Sequence, residues 1–445
     1  MQKNCSNNKL TDLCEFVLQY AKKSGATAAE VSSTIEDGFT LTVRNEKVDA
    51  LEYHLDKNMS ICVYFGKKSA TVNSADFSQS ELINIIDKAC VMAKFTQDDP
   101  CNKLADKELL AKNIPNLDLA HKWDVTLQDI TASAIECEKI AKNYDKRIVN
   151  SEGVIVSSSA QESAYANSND FCAVVPSTMH SISCEMIAQD KKNNMERDYS
   201  YTVAINPKYL LDFENLAITA AQNSIARLGA KKIKTQKLPV IFSSRVARSL
   251  IGNFIAAISG SNLYRKSTFL YDKMGEKIFA ENLNIFERPY MLQGIGSSAF
   301  DDDGVATTNK NFITDGVLTS YVLDYYSACK LNTKTTGNAG GVYNLFATAS
   351  NSMAFAQMLG EMNTGIVVTE LIGQGVNLIT GDYSRGACGF YVKNGVIQYP
   401  VSEITIAGNL EDMFKNIVTI GDDVDYNGNI QTGSIFVNEM MVAGQ

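Results

Sequence analysis

Histidine is scarce: three residues in 445, at positions 54, 121 and 180. No two share the close spacing of an HExxH-type helix, so the two-histidine zinc grip of many metallopeptidases has no source here. The ten cysteines include no CxxC pair. Scattered singly, they read as small core residues kept reduced. No run approaches the roughly 18 apolar residues of a membrane span. The opening "MQKNCSNNKLTDLCEF" has no apolar segment followed by a small-residue cleavage site, so a cytoplasmic chain away from membranes is expected. An excess of basic residues is also missing. Lys and Arg total 41 against 50 Asp and Glu, a net charge of -9, which argues against direct nucleic-acid binding.

What is present is a globular composition, 45% hydrophobic and 20% charged, with length for two or three domains. Segment 8–23 repeats apolar residues at helical spacing and meets a stop at Gly25. Strand-like runs follow ("AEVSSTIE", "FTLTVRN", "VDALEYH", "MSICVYFG", "SATVNSA") with turns expected at "EDG", "NEK" and "DKN". A helix opened by Ser78 or Ser80 closes this first α/β segment, 1–95. A polar stretch, 96–121, reads as a linker, and the helix, meander, helix order recurs over 96–230, its last helix expected to start at Pro207. From 231 to 445 a strand running into an apolar helix, "LPVIFSSRVARSLIGNFIAAISG", precedes short glycine-punctuated strands, with a tight hairpin at "KNG". The fold class expected is α+β: N-terminal helix and antiparallel-meander segments, then a mainly antiparallel β C-terminal domain.

"TGDYSRGACGF", residues 380–390, gathers an acid, a phenol, a hydroxyl, a guanidinium and a thiol. Cys388 lacks a nearby base to make it a nucleophile, and "YSRG" is no G-x-S-x-G elbow. A strand cysteine beside an arginine is the plainer reading. The triplet Asp301, Asp302, Asp303 lacks calcium-loop spacing and reads as a solvated turn. "TTGNAGG" and "LIGQGVNLITG" lack the GK[ST] of a P-loop and join no strand to a helix with a downstream acid.

In order, "AFDDDGVAT", "ITDGVLTSYVLDYYSACKLNTKTTGNAGG" and "GVNLITGDYSRGACGFYVKNGVIQYPVSEITIAGNLEDM" resemble the TldD/PmbA family, its PmbA (TldE) branch in particular. "SGATAAEVS" and "LTVRNEKVDALE" fit it more loosely. Members also carry the description "modulator of DNA gyrase". The resemblance implies a subunit of a zinc metallopeptidase acting on unfolded peptides. The zinc is expected in a TldD-like partner that carries HExxxH, and no cofactor in this chain. The metal helix of such a partner aligns with Asn253 to Ile258: Asn253 and Ile258 stand at the histidine positions, Phe254 at the glutamate, and Thr432 near the C-terminal metal cysteine. Neither Ile nor Phe can donate to a metal, and no residue remains to deprotonate a metal-bound water.

The same resemblance suggests cavity or interface roles for Arg265, Asp324, Asn338, Gly340, Asp382, Tyr383 and Arg385, although an Asp382–Arg385 pair holding a turn is an equal reading. A TldD-like subunit is the expected partner, in a heterodimer, with a homodimer possible in isolation. Two other readings stand beside this one: a self-sufficient peptidase with a rearranged site, and a non-enzymatic binder of DNA gyrase.

Overall fold

The structure, a computed structural model, describes residues 9–444. Helix α1 (Lys9–Lys23) precedes strands β1 (Ala28–Arg44), β2 (Lys47–Phe65) and β3 (Lys68–Ser74), then α2 (Gln79–Phe95). A second set follows: α3 (Leu127–Asn143), β4 (Ile148–Asn167), β5 (Phe171–Gln189), β6 (Met195–Ala204) and α4 (Phe213–Ala226). The two meanders join edge to edge through β1 and β4 into one antiparallel six-stranded sheet, β3-β2-β1-β4-β5-β6.

Alternation along β1 sets the two faces of this sheet. Its odd positions Val31, Leu41 and Val43 are fully buried, Val31 under α1 and α2, the other two under α3 and α4. α1 answers with Leu10, Cys14, Val17 and Ala21, one face of a 3.6-residue period. Even positions such as Ser32 and Thr34 project from the opposite, polar face.

Three local expectations fail here. "EDG" and "DKN" do not turn: they pair within the β1–β2 ribbon, Gly38 opposite His54 and Asn58 opposite Thr34. Gly38 stays because a Cβ there would meet the Ser158 carbonyl at 2.6 Å, so close strand approach outweighs the turn preference. "NEK" does turn, with Asn45 and Glu46 at positive φ. Pro207 opens only a single 3-10 turn, and α4 begins at Phe213, where Asp212 accepts the Asn215 N–H at 2.8 Å.

The second half opens with β7 (Gln236–Phe242), α5 (Ser244–Ala257) and α6 (Gly260–Tyr264). It continues through β8 (Leu283–Glu287), β9 (Lys310–Thr314), β10 (Val317–Leu318), α7 (Tyr325–Lys330), β11 (Leu345–Ala349) and α8 (Phe355–Met362). Last come β12 (Gly365–Ile372), β13 (Asp382–Lys393), β14 (Val396–Asn409), α9 (Leu410–Lys415), β15 (Ile417–Ile420), β16 (Ile430–Thr432) and β17 (Ile435–Ala443). One sheet runs β10-β9-β8-β11-β16, the other β14-β13-β12-β7-β17-β15, and β14 also pairs β17 so that five strands return on themselves. Pairing is antiparallel except β7·β12 and β11·β16. The "KNG" hairpin forms, Asn394 and Gly395 both at positive φ. Among the short strands expected here, "GVLTSYVLDYY" (316–326) instead passes through β10 into α7, and "GVNLITGDYS" (375–384) enters β13 only at Asp382, after a turn closed by Gly381 N–H to Asn377 O.

Residues 96–121 carry no helix or strand, yet they are no free linker. Cys101, Leu104, Leu110, Leu117 and Leu119 are buried. This strap bonds to the β2–β3 turn (Asp99 N–H to Lys67 O) and to the second half (Ala111 N–H to Gly304 O; Ala306 N–H to Leu109 O). It is also covalently attached, since Cys101 forms a disulfide with Cys329 of α7. That corrects the reduced reading for Cys101 and Cys329, while Cys90, Cys137, Cys184 and Cys388 are buried thiols as expected. Cys5 lies outside the described residues.

Candidate functional site

The polar face of the N-terminal sheet lines a cavity of about 670 Å3. Hydroxyls and an amide reach in from four neighbouring strands: Ser32 and Thr34, Ser60, Ser159, Gln161 and Ser163, and Ser177. Opposite stand Gly294–Ser298 and the 300–303 turn from the second half. The strands put these polar side chains inward by period-two alternation, with their apolar neighbours beneath the helices.

The acid triplet forms one wall, and it is not the solvated turn expected. Asp301 is 1% exposed. Its Oδ1 accepts the Asp303 and Val305 N–H groups at 3.0 and 2.8 Å, and its Oδ2 accepts Ala339 N–H at 3.0 Å. Burial outweighs those bonds and pushes its carboxyl up to about 6. Asp303 accepts the Tyr325 N–H at 2.9 Å, and burial, then the Asp301 charge, pushes it up to about 7. Asp302 is raised by burial. Beside this turn Glu30 accepts the Tyr64 and Tyr165 hydroxyls at 2.7 and 2.8 Å, and its charge adds to the rise at Asp303. Burial and the Glu30 charge lift the Cys62 thiol to about 11, so it stays protonated at neutral pH and is no nucleophile. Lys and Arg are absent from the described lining; the wall carries four carboxylates with no counter-charge.

Of the residues singled out from sequence, the glycine loop reaches this wall. Gly340 sits at φ +90, where a Cβ would run into the Asp302 carboxylate. Asn338, beside it, is buried in a satisfied network: its Nδ2 donates to Glu287 at 3.1 Å, its Oδ1 accepts from Lys310 at 3.0 Å, and Lys310 pairs with Glu287 at 2.6 Å. Asp324 caps α7, accepting the Ser327 N–H at 2.6 Å.

The others stand elsewhere. Arg265 is exposed, 5.4 Å from the Tyr264 ring centre. Asp382 accepts the Thr380 hydroxyl at 2.6 Å at the surface. Tyr383 is 1% exposed in the core of the second half, edge-on to Phe242, and burial pushes its phenol up to about 12. Asp382 and Arg385 fall on opposite faces of β13, so the turn-holding pair does not form. The cation that Cys388 feels most is Arg227, and burial still raises that thiol. Sequence reading missed Arg227 and its neighbours. It meets Glu370 at 2.5 Å and Asp198 at 3.4 Å, and Arg245 meets Asp198 at 2.7 Å, joining the two halves of the molecule.

The two stretches that the resemblance aligns with metal ligands lie on neighbouring elements, α5 packing against β16. Their side chains are structural. Phe254 is 0% exposed, its ring 5.0 Å from Phe279 and 6.1 Å from Phe414, centre to centre. Ile258 is buried, Asn253 half-buried, and the buried Thr432 hydroxyl donates to Gly433 O at 3.1 Å. A benzene ring and an aliphatic chain offer zinc no lone pair, so this set does not fit the ion.

A two-part α+β molecule enclosing a polar, acid-walled cavity is the class these features define. Residues 120–228 match the PmbA/TldA metallopeptidase central domain and residues 235–444 the C-terminal domain of the same family. The metalloprotease PmbA of Escherichia coli O157:H7 is 44% identical over 94% of this chain and 92% of that one. The Haemophilus influenzae PmbA homolog is 38% identical over 98% and 96%. A crystal structure from Bacteroides thetaiotaomicron, of a candidate modulator of DNA gyrase, superimposes with a TM-score of 0.92 over 99% of this chain and 100% of that one, at 24% identity. The chain belongs to the PmbA/TldD metallopeptidase family.

Proposed function

We propose that this chain is a PmbA/TldE-type subunit that cuts no peptide by itself and completes the peptide chamber of a TldD-like zinc metallopeptidase. The observation that carries the reading is Phe254. Where a working relative would place its general base, this chain places an aromatic ring fully committed to packing. The cavity supports the second part. Hydroxyls on neighbouring extended strands suit the amide groups of an unfolded peptide, and an opening of about 670 Å3 takes a few residues of extended chain and no folded domain.

The test is reconstitution. The purified chain is assayed for bound zinc and for hydrolysis of an unfolded peptide, alone and with an HExxxH-bearing family subunit. Hydrolysis only in the mixture, abolished by chelator, is the expected result. Stoichiometric zinc and chelator-sensitive hydrolysis by the chain alone would establish a rearranged self-sufficient site instead.

A further inference from the structure

The Cys101–Cys329 disulfide closes a span of 228 residues and lies at one particular place. The strap, the end of the N-terminal sheet and the acid turn share a small core: Leu110, Tyr165, Phe171, Val305 and Tyr325. Tyr165 and Phe300, packed in or against that core, also line the cavity. The strap thus closes the acidic end from behind, and the disulfide is its covalent tie to α7, whose Tyr325 N–H bonds Asp303.

We propose that Cys101–Cys329 is a reversible redox staple that sets how firmly the strap holds the acidic end of the cavity. Cys101 is 5% exposed and Cys329 half-buried, so Cys329 is the sulfur that an external thiolate reaches first. Attack there breaks the S–S bond, leaves Cys101 as a thiol after protonation, and forms a mixed disulfide at Cys329. The second thiolate of a dithiol then releases Cys329, two electrons and two protons having passed from the dithiol to the protein. Neighbouring contacts make the opening reversible. Asp99 holds Lys330 and the Tyr326 hydroxyl, each at 2.7 Å, beside the bond. That pairing keeps the two thiols in reach, so oxidation re-forms the same link.

The staple is independent of any peptidase role, and hydrogen exchange tests it without an activity assay. Full-length protein is oxidised with glutathione disulfide or reduced with dithiothreitol, and non-reducing peptide mapping is run on each. In the oxidised sample the Cys101 and Cys329 peptides are expected to be linked. The amides of Ala111, Ala306 and Tyr325 should then exchange roughly tenfold or more slowly than in the reduced sample, while those of β12 stay unchanged. Cys101→Ser should mimic reduction in either buffer, and Cys90→Ser should leave the response intact. Should the serine variant fail to fold, reduced against oxidised wild type decides alone. Failure of the two peptides to link under oxidation, or equal exchange in both states, overturns the proposal.

Discussion

Truncating Phe254 asks whether the position that the family resemblance sets against a general base is core in this chain. The ring is fully buried and packs edge-on against two others. Phe→Ala at such a site removes the transfer energy and leaves a cavity, together about 3–5 kcal/mol. Phe279 and Phe414 are themselves stacked at 4.4 Å, so they have little freedom to collapse into the space, and the upper part of that range is expected. For a unit of this size each kcal/mol moves the melting temperature by about 2–4 °C. Phe254→Ala should therefore lower the melting temperature of the second half by on the order of 10 °C, read by differential scanning fluorimetry or calorimetry. Phe254→Leu keeps most of the volume and should cost only about 1 kcal/mol. Rebuilding the aligned motif as Asn253→His, Phe254→Glu and Ile258→His buries a carboxylate in an aromatic cluster and should unfold the domain, with no zinc bound. An alanine variant melting within a degree or two of the parent, or a rebuilt motif that folds and takes up zinc, would refute the reasoning.

Asp301 and Asp303 titrate above the ordinary carboxylate range. The folded state therefore binds their protons more tightly than the unfolded chain, and stability falls as pH rises from about 4 to about 7 through these two groups. Asp303→Asn should flatten that slope and raise the melting temperature at pH 8, measured as a pH series of thermal scans. The uncompensated acidic wall should favour basic over acidic unfolded peptides. Asp302→Asn should weaken binding of a Lys-rich peptide by about fivefold, close to 1 kcal/mol, read by fluorescence anisotropy at low and high salt. Arg245→Ala leaves the buried Asp198 with Arg227 as its remaining cation and should cost about 3 kcal/mol in denaturant titration, with Arg245→Lys costing less.

Much of the fold is legible locally. α1 follows from four apolar residues at helical spacing, the β7 to α5 step from an apolar run meeting Ser243, and the β13–β14 hairpin from Asn394-Gly395. Turn chemistry misleads at Gly38, where local preference for a bend loses to a three-strand pairing with β2 and β4. Pro207 misleads for a related reason: proline suits a first helical turn, but the next capping residue, Asp212, offers the side-chain acceptor that starts α4. The site was less legible than the fold. Glu30 stands in an ordinary amphipathic strand, and only the two tyrosines folded over it, 34 and 135 residues away, mark it.

Three readings that failed, the linker at 96–121, the solvated acid turn and the reduced state of Cys101 and Cys329, have one physical cause. Each segment is polar or unpaired among its sequence neighbours and is buried by residues distant in sequence. The turn at Asp301 becomes interior because Ala339 and Tyr325 supply N–H groups and the strap covers its back. The strap becomes ordered because Val305 and Tyr165 give its leucine and alanines a core, and because Cys329 gives it an anchor. No window of local sequence contains those partners. The consequence for function is specific. The segment that closes the cavity is built from pieces with no regular secondary structure, held by contacts to distant parts of the chain and by one disulfide. Change in the cavity should therefore begin at the strap and the acid turn, before the sheets that form the rest of its wall.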